Sequence, residues 1–466
     1  KFLARSSGRP RRWIHIVLAN VGVAGKLPAM YRNRNTYPTD KHGWAALLPA
    51  RSGRPALTGT HRVPWTVVGA GVTGLACAQR LAELHPDDEI MFLDARLVGQ
   101  GASGRNSGFA VGITHFTGPF DARQVGEYRR INRINQAGVD TLRGQISSHG
   151  IDCQWSEKGI HYAAADQPAI RERDNFLPYL EAMEIAHTPL DAGMLQNRLG
   201  SALYQTGVHV HPGVLLHPAA LVHGLADSLP GNVALYEQSP VLTIYPGPPL
   251  TLELPHGKVL TDKLILTTNY EAAKLGFLRY ALTGSTLSGS FSRVLNDEEF
   301  ASLGQLSEWG ILSLHGGGAT VRLTADHRIC IRNTAEYRGA ALLSDQQLAK
   351  RQAIHRAGFE KRFPQLAHVP FEFAWSGVEG ISRNSTNFFG RQRNDIYFAG
   401  GYNGSGVSKG AAFGLALAEY AAGGQSALIE DCLASAPAAL IPPRPFLDLG
   451  ALMTVRARFK GVGQDR

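Results

Sequence analysis

The sequence predicts an α/β fold, in which a discontinuous Rossmann-like domain is combined with a second α+β domain built on a mainly antiparallel sheet. Two observations predict it. Residues 63–94 show the pattern of a strand, a glycine-rich turn, a helix and a second strand, and residues 233–267 and 308–332 contain short apolar strands between turn residues. The length of 466 residues suits two or three domains, and a hydrophobic content of 44 % excludes general disorder.

The positive net charge of the chain, +9, is concentrated in its leading segment. Residues 1–62 hold nine Arg and three Lys against one acid, Asp40, which leaves a net charge of −2 for the remainder. A nearly neutral folded part argues against nucleic acid as a partner, since phosphate binding needs clustered positive charge. The four Cys stand singly without a CxxC pair, which argues against a zinc site and suits a reducing compartment.

The apolar run at residues 13–25, preceded by Arg11 and Arg12, has about the length of a signal-peptide core and is too short to span a bilayer. We expect a cytoplasmic protein whose natural start lies near Met30. Export is the alternative, if residues 1–29 are a genuine signal. Elsewhere the sequence has no run of ~18 apolar residues, so we expect no membrane span.

A dinucleotide-binding pattern follows the first predicted strand. The strand VPWTVV at residues 63–68 leads into GAGVTG at 69–74, where the first glycine permits a tight turn and the second lets the backbone approach a pyrophosphate. The third glycine allows close packing of helix and strand. Asp94 ends the second strand, 20 residues after Gly74, where its carboxylate would accept hydrogen bonds from a ribose and disfavour a 2′-phosphate. NAD and FAD share this half-site.

Two more segments help to decide between NAD and FAD: GASGRNSGF at residues 101–109 and AGGYNGSGVSKG at 399–410. They resemble the flavin-binding segments of the D-amino-acid-oxidase-like flavoproteins, a family that includes glycine oxidase, sarcosine oxidase and γ-glutamylputrescine oxidase. Val241 and the segment LILTTNY at 264–270 are similar to further parts of the family pattern, so the resemblance covers roughly residues 44–424. It implies FAD as the cofactor. The FAD is expected to be non-covalent, because the cysteine that binds flavin covalently in some members is missing from residues 380–390.

The dinucleotide pattern and the resemblance together predict a set of cofactor-binding residues. These are Gly69, Gly71, Val72, Thr73, Gly74, Asp94, Ala95, Arg96, Gly101, Ala102, Ser103, Arg105, Asn106, Ser107, Gly108, Phe109, Val241, Thr268, Gly401, Asn403, Gly404, Ser405, Gly406, Val407 and Ser408.

The resemblance also implies an activity: oxidation of the C–N bond of an amine or amino acid by hydride transfer to flavin N5, followed by hydrolysis of the imine. Oxygen or another acceptor would then take the electrons. Arg332, Tyr402 and Trp375 are the candidate catalytic residues, and a guanidinium at Arg332 would suit a substrate carboxylate. Relatives carry a lysine where this chain has Ser408, and Lys409 is turned about 100° away on a helix. A lysine clamp on the carboxylate is therefore not expected.

Two alternatives remain open from the sequence. One is an FAD-dependent dehydrogenase acting on a C–OH bond, such as that of a 2-hydroxy acid. The other is a flavin-bearing binding or assembly protein without turnover. A metal site at the histidines of residues 209–223 is not expected, because no Cys or acid completes a ligand set at that spacing.

The predicted domain organisation has four parts. Residues 1–62 form a basic extension, and the FAD-binding domain comprises residues 63–120, 208–275 and 370–425. The substrate domain comprises residues 121–207 and 276–369, and residues 426–466 form an arm on the surface. The expected local elements are a long helix at 121–149 with Arg129, Arg130 and Arg133 on a solvated face, a hairpin at 151–165, helix at 168–200, a small antiparallel insert at 233–267, paired strands at 308–332 and a surface helix at 344–363.

Overall fold

The computed structural model describes residues 42–113, 118–304, 307–393 and 395–466, which contain two large sheets and a two-stranded one. The helices are α1 (Gly43–Ala46), α2 (Val72–Leu84), α3 (Ala102–Arg105), α4 (Val125–His149), α5 (Gln167–Ala182), α6 (Ala192–Leu199), α7 (Pro218–Asp227), α8 (Asp297–Ala301), α9 (Asp345–Arg362), α10 (Gly406–Ala421), α11 (Ala427–Leu433) and α12 (Phe446–Lys460). The strands are β1 (Gly59–Val68), β2 (Ile90–Leu93), β3 (Phe109–Ala110), β4 (Ile160–Ala164), β5 (His187–Asp191), β6 (Thr206–Val210), β7 (Val214–Leu215), β8 (Val233–Tyr236), β9 (Thr243–Tyr245), β10 (Leu250–Glu253), β11 (Gly257–Leu266), β12 (Leu282–Ser292), β13 (Trp309–Ser313), β14 (Thr320–Leu323), β15 (Ile329–Glu336), β16 (Phe371–Ser382), β17 (Phe388–Arg393) and β18 (Ile396–Gly400).

The first sheet has the strand order β17-β18-β11-β1-β2-β8, with β10 and β9 attached to β11. Strands β8, β2, β1, β11 and β18 run parallel, and β17 closes the edge in the antiparallel direction. The carboxyl ends of parallel strands share one edge of a sheet, so Gly69, Asp94, Thr267 and Gly401 meet there. This arrangement confirms the predicted Rossmann-like fold.

The second sheet has the order β16-β12-β15-β14-β13-β4-β6-β5. Its neighbouring strands pair in the antiparallel direction except β13 and β4, which run parallel. The prediction of a second, mainly antiparallel sheet is therefore confirmed.

Helices α2 and α10 pack closely against each other on the first sheet. A Cβ on Gly414 would lie 2.2 Å from the carbonyl oxygen of Thr73, so a larger residue there would force the helices apart. The Tyr402 hydroxyl lies 2.7 Å from Thr73 Oγ1, which joins the loop before α10 to the first turn of α2. The amino-terminal ends of both helices are thereby held side by side.

Several predicted elements are confirmed by the structure. Helix α4 confirms the helix at 121–149, strands β13–β15 confirm the paired strands at 308–332, and α9 confirms the helix at 344–363. The prediction of a solvated arginine face on α4 is wrong for Arg130, which is buried and pairs with Glu127. Arg133 pairs with Asp431 of α11, so α4 is tied to the segment that follows α10.

Two local predictions are wrong because the strands pair with segments that lie outside the predicted hairpin and helix. The expected hairpin at 151–165 is absent, since β4 pairs with β6 and β13. The expected helix at 168–200 is interrupted by β5, which pairs with β6 at the sheet edge. Tertiary pairing overrides local propensity in both cases.

The segment at 233–267 is an antiparallel insert only in part. Strands β9 and β10 form the expected antiparallel meander with β11. Strands β8 and β11, however, pair in parallel with β2 and β1 in the first sheet. The insert is therefore smaller than expected, and its flanks belong to the first sheet, with β11 at the centre and β8 at an edge.

The ends of the chain differ from the predicted extension and arm. Leu57 is 2 % exposed and packs in the core of the first sheet, whereas Trp44 is fully buried against Phe291 and Trp375 of the second sheet. At the other end, α12 is followed by Asp465, which is completely buried. Among the described helices none is long and apolar enough to cross a bilayer, and the apolar run at 13–25 lies outside the described residues.

Candidate active site

One cavity of about 910 Å³ begins at the carboxyl edge of the first sheet and continues to the second sheet. At the first sheet it is lined by Gly69, Gly71 and Asp94, and at the second by Thr320 and Arg332. Ligands of doubly wound sheets bind at this edge, so the cavity lies where the sequence places the dinucleotide.

The turn after β1 provides the close backbone approach that a diphosphate needs. Gly69 has φ of +106°, a conformation that favours glycine. A Cβ on Gly71 would come within 2.8 Å of Ser103 Oγ, and a Cβ on Gly74 would lie 1.9 Å from the carbonyl oxygen of Gly69. The amide of Val72, at the start of α2, donates to Ser103 Oγ at 3.0 Å. The turn and the loop that carries Ser103 thus form one surface at a helix amino terminus, which attracts phosphate.

The Asp94 carboxylate is fixed beside this turn. It accepts hydrogen bonds from the amides of Ala70 at 2.7 Å and of Arg96 at 2.8 Å. Burial raises the pKa of Asp94 to about 6, against the lowering effect of the Arg96 amide and guanidinium. The Arg96 guanidinium forms an ion pair with Glu271 at 3.1 Å. The carboxylate retains acceptor capacity on both oxygens for ligand hydroxyls.

Three buried side chains hold the loop at residues 101–109 by its carbonyl groups. The indole of Trp44 donates to Asn106 O at 2.7 Å, and the indole of Trp375 donates to Arg105 O at 3.0 Å. The guanidinium of Arg322 donates to Gly108 O at 2.9 Å and lies 5.2 Å from the Trp44 ring centre. The loop is therefore positioned by side chains from α1, β16 and β14.

The loop before α10 is held in the same manner. The amide of Gly401 donates to Asn269 Oδ1 at 2.9 Å, and Asn403 Oδ1 accepts from the amide of Ser382 at 2.9 Å. The Asn403 amide group donates to Thr386 O at 3.0 Å and Gly401 O at 2.7 Å. Asn403 thus shapes the loop that leads into the amino terminus of α10.

Most predicted site residues line this cavity. They are Gly69, Gly71, Thr73, Asp94, Ala95, Arg96, Gly101, Ala102, Ser103, Arg105, Asn106, Ser107, Phe109, Val241, Thr268, Asn403, Gly404, Ser405, Gly406 and Val407, with Arg332, Trp375 and Tyr402. The guanidinium of Arg105 donates to Gln100 and to the Ser376 carbonyl, so it braces the loop from within.

Five predicted cofactor residues lie outside the cavity lining. They are Val72, Gly74, Gly108, Gly401 and Ser408. The backbone of Ser408 lies against α4, since a Cβ on Gly138 would lie 1.8 Å from the Ser408 carbonyl oxygen. Lys409 lies outside the lining too and is buried, and its pKa falls to about 8 through burial and through Arg130.

Sequence reasoning missed Trp44, Arg322 and Glu237. The Glu237 side chain is fully buried and accepts from Arg51 at 2.8 Å and from the amides of Arg54 and Val98. It joins the segment before β1 to the loop after β2. The hydrogen bonds of Trp44, Arg322 and Glu237 join residues that are 62 to 214 positions apart in the sequence. No pattern within a short segment could therefore predict them.

The histidines at 209–223 do not converge on a metal. Within the described ranges no group of three or more potential His, Cys, Asp or Glu ligands was found. His217 caps α7 through the amide of Ala220 at 3.1 Å, and His223 bonds to the Val98 carbonyl at 3.2 Å.

The residues of the cavity fit FAD. The glycines leave the surface at the start of α2 free of Cβ atoms, and Asp94 lies beside it. Thr268 Oγ1 lines the cavity, is buried and has no hydrogen-bond partner among the described residues. A buried hydroxyl without a partner in a ligand cavity indicates a polar group of the ligand.

Comparison with known proteins agrees with this geometry. The family model DAO, described as FAD dependent oxidoreductase, matches residues 65–420. A probable oxidoreductase OrdL of Haemophilus influenzae is 28 % identical over 399 residues, covering 78 % of this chain and 84 % of the relative. The gamma-glutamylputrescine oxidoreductase of Escherichia coli is 27 % identical over 367 residues, covering 73 % and 79 %.

Solved structures share the fold. Glycine oxidase from Geobacillus kaustophilus superimposes with a TM-score of 0.67 at 17 % identity, covering 79 % of this chain and 96 % of the oxidase. An L-alpha-glycerophosphate oxidase from Mycoplasma pneumoniae, solved with FAD bound, gives 0.62 at 14 % identity, covering 82 % and 97 %. Because the family model spans well over half of the chain and the cavity fits its cofactor, the chain belongs to the DAO family of FAD-dependent oxidoreductases.

Proposed function

We propose that this enzyme oxidises the C–N bond of a small amine or amino acid that carries a carboxylate. The observation that supports it most is the continuity of the cavity, which joins the dinucleotide cradle to the guanidinium of Arg332 at the second sheet, and whose lining also includes the carboxylates Glu172 and Glu379. Groups of opposite charge in one cavity suit a substrate that has an acidic and a basic end.

The cofactor, when bound, supplies the hydride acceptor for the carbon beside the amine. Arg332 binds and orients the substrate carboxylate, and its Nη2 is held by the hydroxyl of Thr320. Val111, Ile113 and Leu312 line the same end and exclude water from the reacting carbon. Burial of the substrate amine against these apolar residues would lower its pKa, in the direction of the neutral form that the reaction needs.

FAD is held without a covalent bond in this proposal. Among the described residues, Cys330 is the cysteine that lines the cavity. Burial raises the pKa of the Cys330 thiol to about 12, so almost no thiolate is present at neutral pH to attack the ring. Acid precipitation of the protein is expected to release all the flavin into the supernatant.

The substrate class is tested by anaerobic mixing of the holoenzyme with amino acids, N-alkyl amino acids, acylated diamines and 2-hydroxy acids. We expect the visible flavin absorbance to be lost with members of the amine classes and retained with 2-hydroxy acids. Peroxide formation in air with the same substrate then decides between oxygen and another electron acceptor. Loss of absorbance with hydroxy acids alone, or with none of the compounds, would contradict the proposal.

Cofactor affinity is expected to depend on pH through Asp94. The ionised carboxylate would accept hydrogen bonds from the ribose hydroxyls of FAD, and the pKa of about 6 means that this form is lost as the pH falls through 6. The Kd for FAD should therefore rise below pH 6 and level off above it. Asp94→Asn should raise the Kd about tenfold at neutral pH and flatten this dependence, as expected for loss of a hydrogen bond to a charged group.

The matched control is Asp87→Asn, a substitution of an exposed carboxylate in the turn before β2. Titration of the apoprotein with FAD, followed by quenching of flavin fluorescence, measures both constants. Equal pH profiles for the Asp94→Asn variant and the unsubstituted enzyme would show that Asp94 does not bind the cofactor.

A further inference from the structure

Residues 436–466, here called the strap, run beside the cavity from the turn between β16 and β17 to the loop between β13 and β14. The strap begins against β16 and its following turn, where Asn384 Nδ2 donates to Pro437 O at 2.9 Å and the amide of Ala439 donates to Asn384 Oδ1 at 3.0 Å. The amide of Ile441 then donates to Tyr280 O at 2.6 Å. Helix α12 follows, and its Thr454 lines the cavity.

The far end of the strap is fixed by a buried ion pair. Arg362 Nη2 donates to Asp465 Oδ1 at 2.6 Å and to Asp465 O at 2.8 Å, and the two side chains are 0 % and 1 % exposed. Arg362 also donates to the hydroxyl of Tyr204 at 3.0 Å and to Gly358 O at 2.8 Å. The guanidinium thus makes four hydrogen bonds to buried partners, and Asp465 is the partner that carries its counter-charge.

Asp465 directly contacts the cavity wall at residues 313–320. Its Oδ2 accepts a hydrogen bond from the hydroxyl of Ser313, and its carbonyl accepts from the amide of Ala319 at 3.0 Å. A Cβ on Gly318 would lie 2.4 Å from Asp465 Oδ2, so the loop and the carboxylate are in close contact. Ser313, Gly318 and Thr320 line the cavity.

The same wall holds the guanidinium at the substrate end, because Thr320 Oγ1 accepts from Arg332 Nη2. A continuous series of contacts therefore runs from Arg362 through Asp465 and the 313–320 loop to Arg332. None of the residues between Arg362 and Arg332 is a reactant in the proposed reaction.

We propose that Asp465 is a positioning residue for substrate binding: it fixes the 313–320 loop and, through Thr320, the direction of the Arg332 guanidinium. The substrate part of this inference rests on the proposed function, since it needs a carboxylate at Arg332. The structural part, that Asp465 fixes the cavity wall at residues 313–320, does not.

The test compares Asp465→Asn with Asp448→Asn in the holoenzyme. Asp448 is a carboxylate of the same strap, but it is half exposed and pairs with Arg444 on the surface of α12. For Asp465→Asn we expect an unchanged flavin content and a KM raised about tenfold for the carboxylate-bearing substrate, with kcat changed less than about twofold, as for a misplaced binding group. Simple amines without a carboxylate should show no change in KM.

A second readout is independent of the substrate. Quenching of flavin fluorescence by acrylamide, a neutral probe, should increase in Asp465→Asn and remain unchanged in Asp448→Asn. If no substrate is found in the screen, increased quenching still supports the role of Asp465 in the cavity wall. If quenching and KM are both unchanged while flavin is bound, the inference is overturned.

Ser313→Ala covers the case in which Asp465→Asn does not fold. This variant removes the hydroxyl that joins Asp465 to the loop and leaves the buried ion pair with Arg362 in place. We expect the same direction of change in KM and quenching, with a smaller size. A folded Ser313→Ala variant that behaves as the unsubstituted enzyme in both measurements would count against the proposal.

Discussion

Gly74→Val is expected to yield a protein that is purified without yellow colour. A Cβ at this position would lie 1.9 Å from the carbonyl oxygen of Gly69 and 2.8 Å from Thr267 Oγ1. A backbone atom at that distance cannot rotate away as a side chain can. The loss of folding stability therefore exceeds the ~1–3 kcal/mol that overpacking typically costs. Relief of the clash moves α2 away from β1, which displaces the helix amino terminus from the phosphate position.

The flavin content is measured from the visible absorbance of the purified protein relative to its protein absorbance. The control is Gly144→Val, because a Cβ on Gly144 of α4 meets nothing within 4 Å. That variant should retain the full flavin content, and both should be compared for helix content by circular dichroism. A folded Gly74→Val variant with full flavin content would show that the turn is not the cofactor cradle.

Arg332→Met is expected to lower kcat/KM for the carboxylate-bearing substrate about 10²–10³-fold, which corresponds to about 3–4 kcal/mol of lost binding in the transition state. Methionine retains much of the length of the side chain but no charge and no donors. Arg332→Lys should lose less, because it keeps the charge and gives up the planar pair of donors. The two variants together separate attraction by charge from orientation of the carboxylate.

Arg338→Met is the matched control for this effect. Arg338 follows the same strand, pairs with Glu336 at 3.6 Å and lies outside the cavity lining. Steady-state kinetics on the unsubstituted enzyme and the three variants, with equal flavin content, measure the change. If kcat/KM falls as much in Arg338→Met as in Arg332→Met, the effect belongs to the strand as a whole. If kcat/KM is unchanged in Arg332→Met, the proposed contact with the carboxylate is excluded.

The dinucleotide cradle could be predicted from the sequence because its chemistry is local. A tight turn, a close backbone approach and a close helix contact each require glycine at a fixed spacing within residues 69–74. Asp94 follows at the end of the next strand. Gly69, Gly71 and Asp94 line the cavity, whereas Gly74 packs behind it. The resemblance of residues 101–109 and 399–410 to flavoprotein segments indicated FAD, which the family match confirms.

The tertiary structure alone decided which side chains hold these segments in place. Trp44 was expected in a basic extension, yet its indole fixes the Asn106 carbonyl, and Asp465 was expected in a surface arm, yet it is buried against Arg362. Hydrogen bonds across 62 and 103 residues leave no periodic pattern in the sequence. The sequence predicted a hairpin at 151–165 but not that the strand at 160–164 pairs with β6 and β13, and it missed the strand at 187–191, since a strand acquires its partner only when the sheet assembles. Short-range stereochemistry is encoded by neighbouring residues, whereas the shape of the substrate end depends on contacts that form only when distant segments pack together.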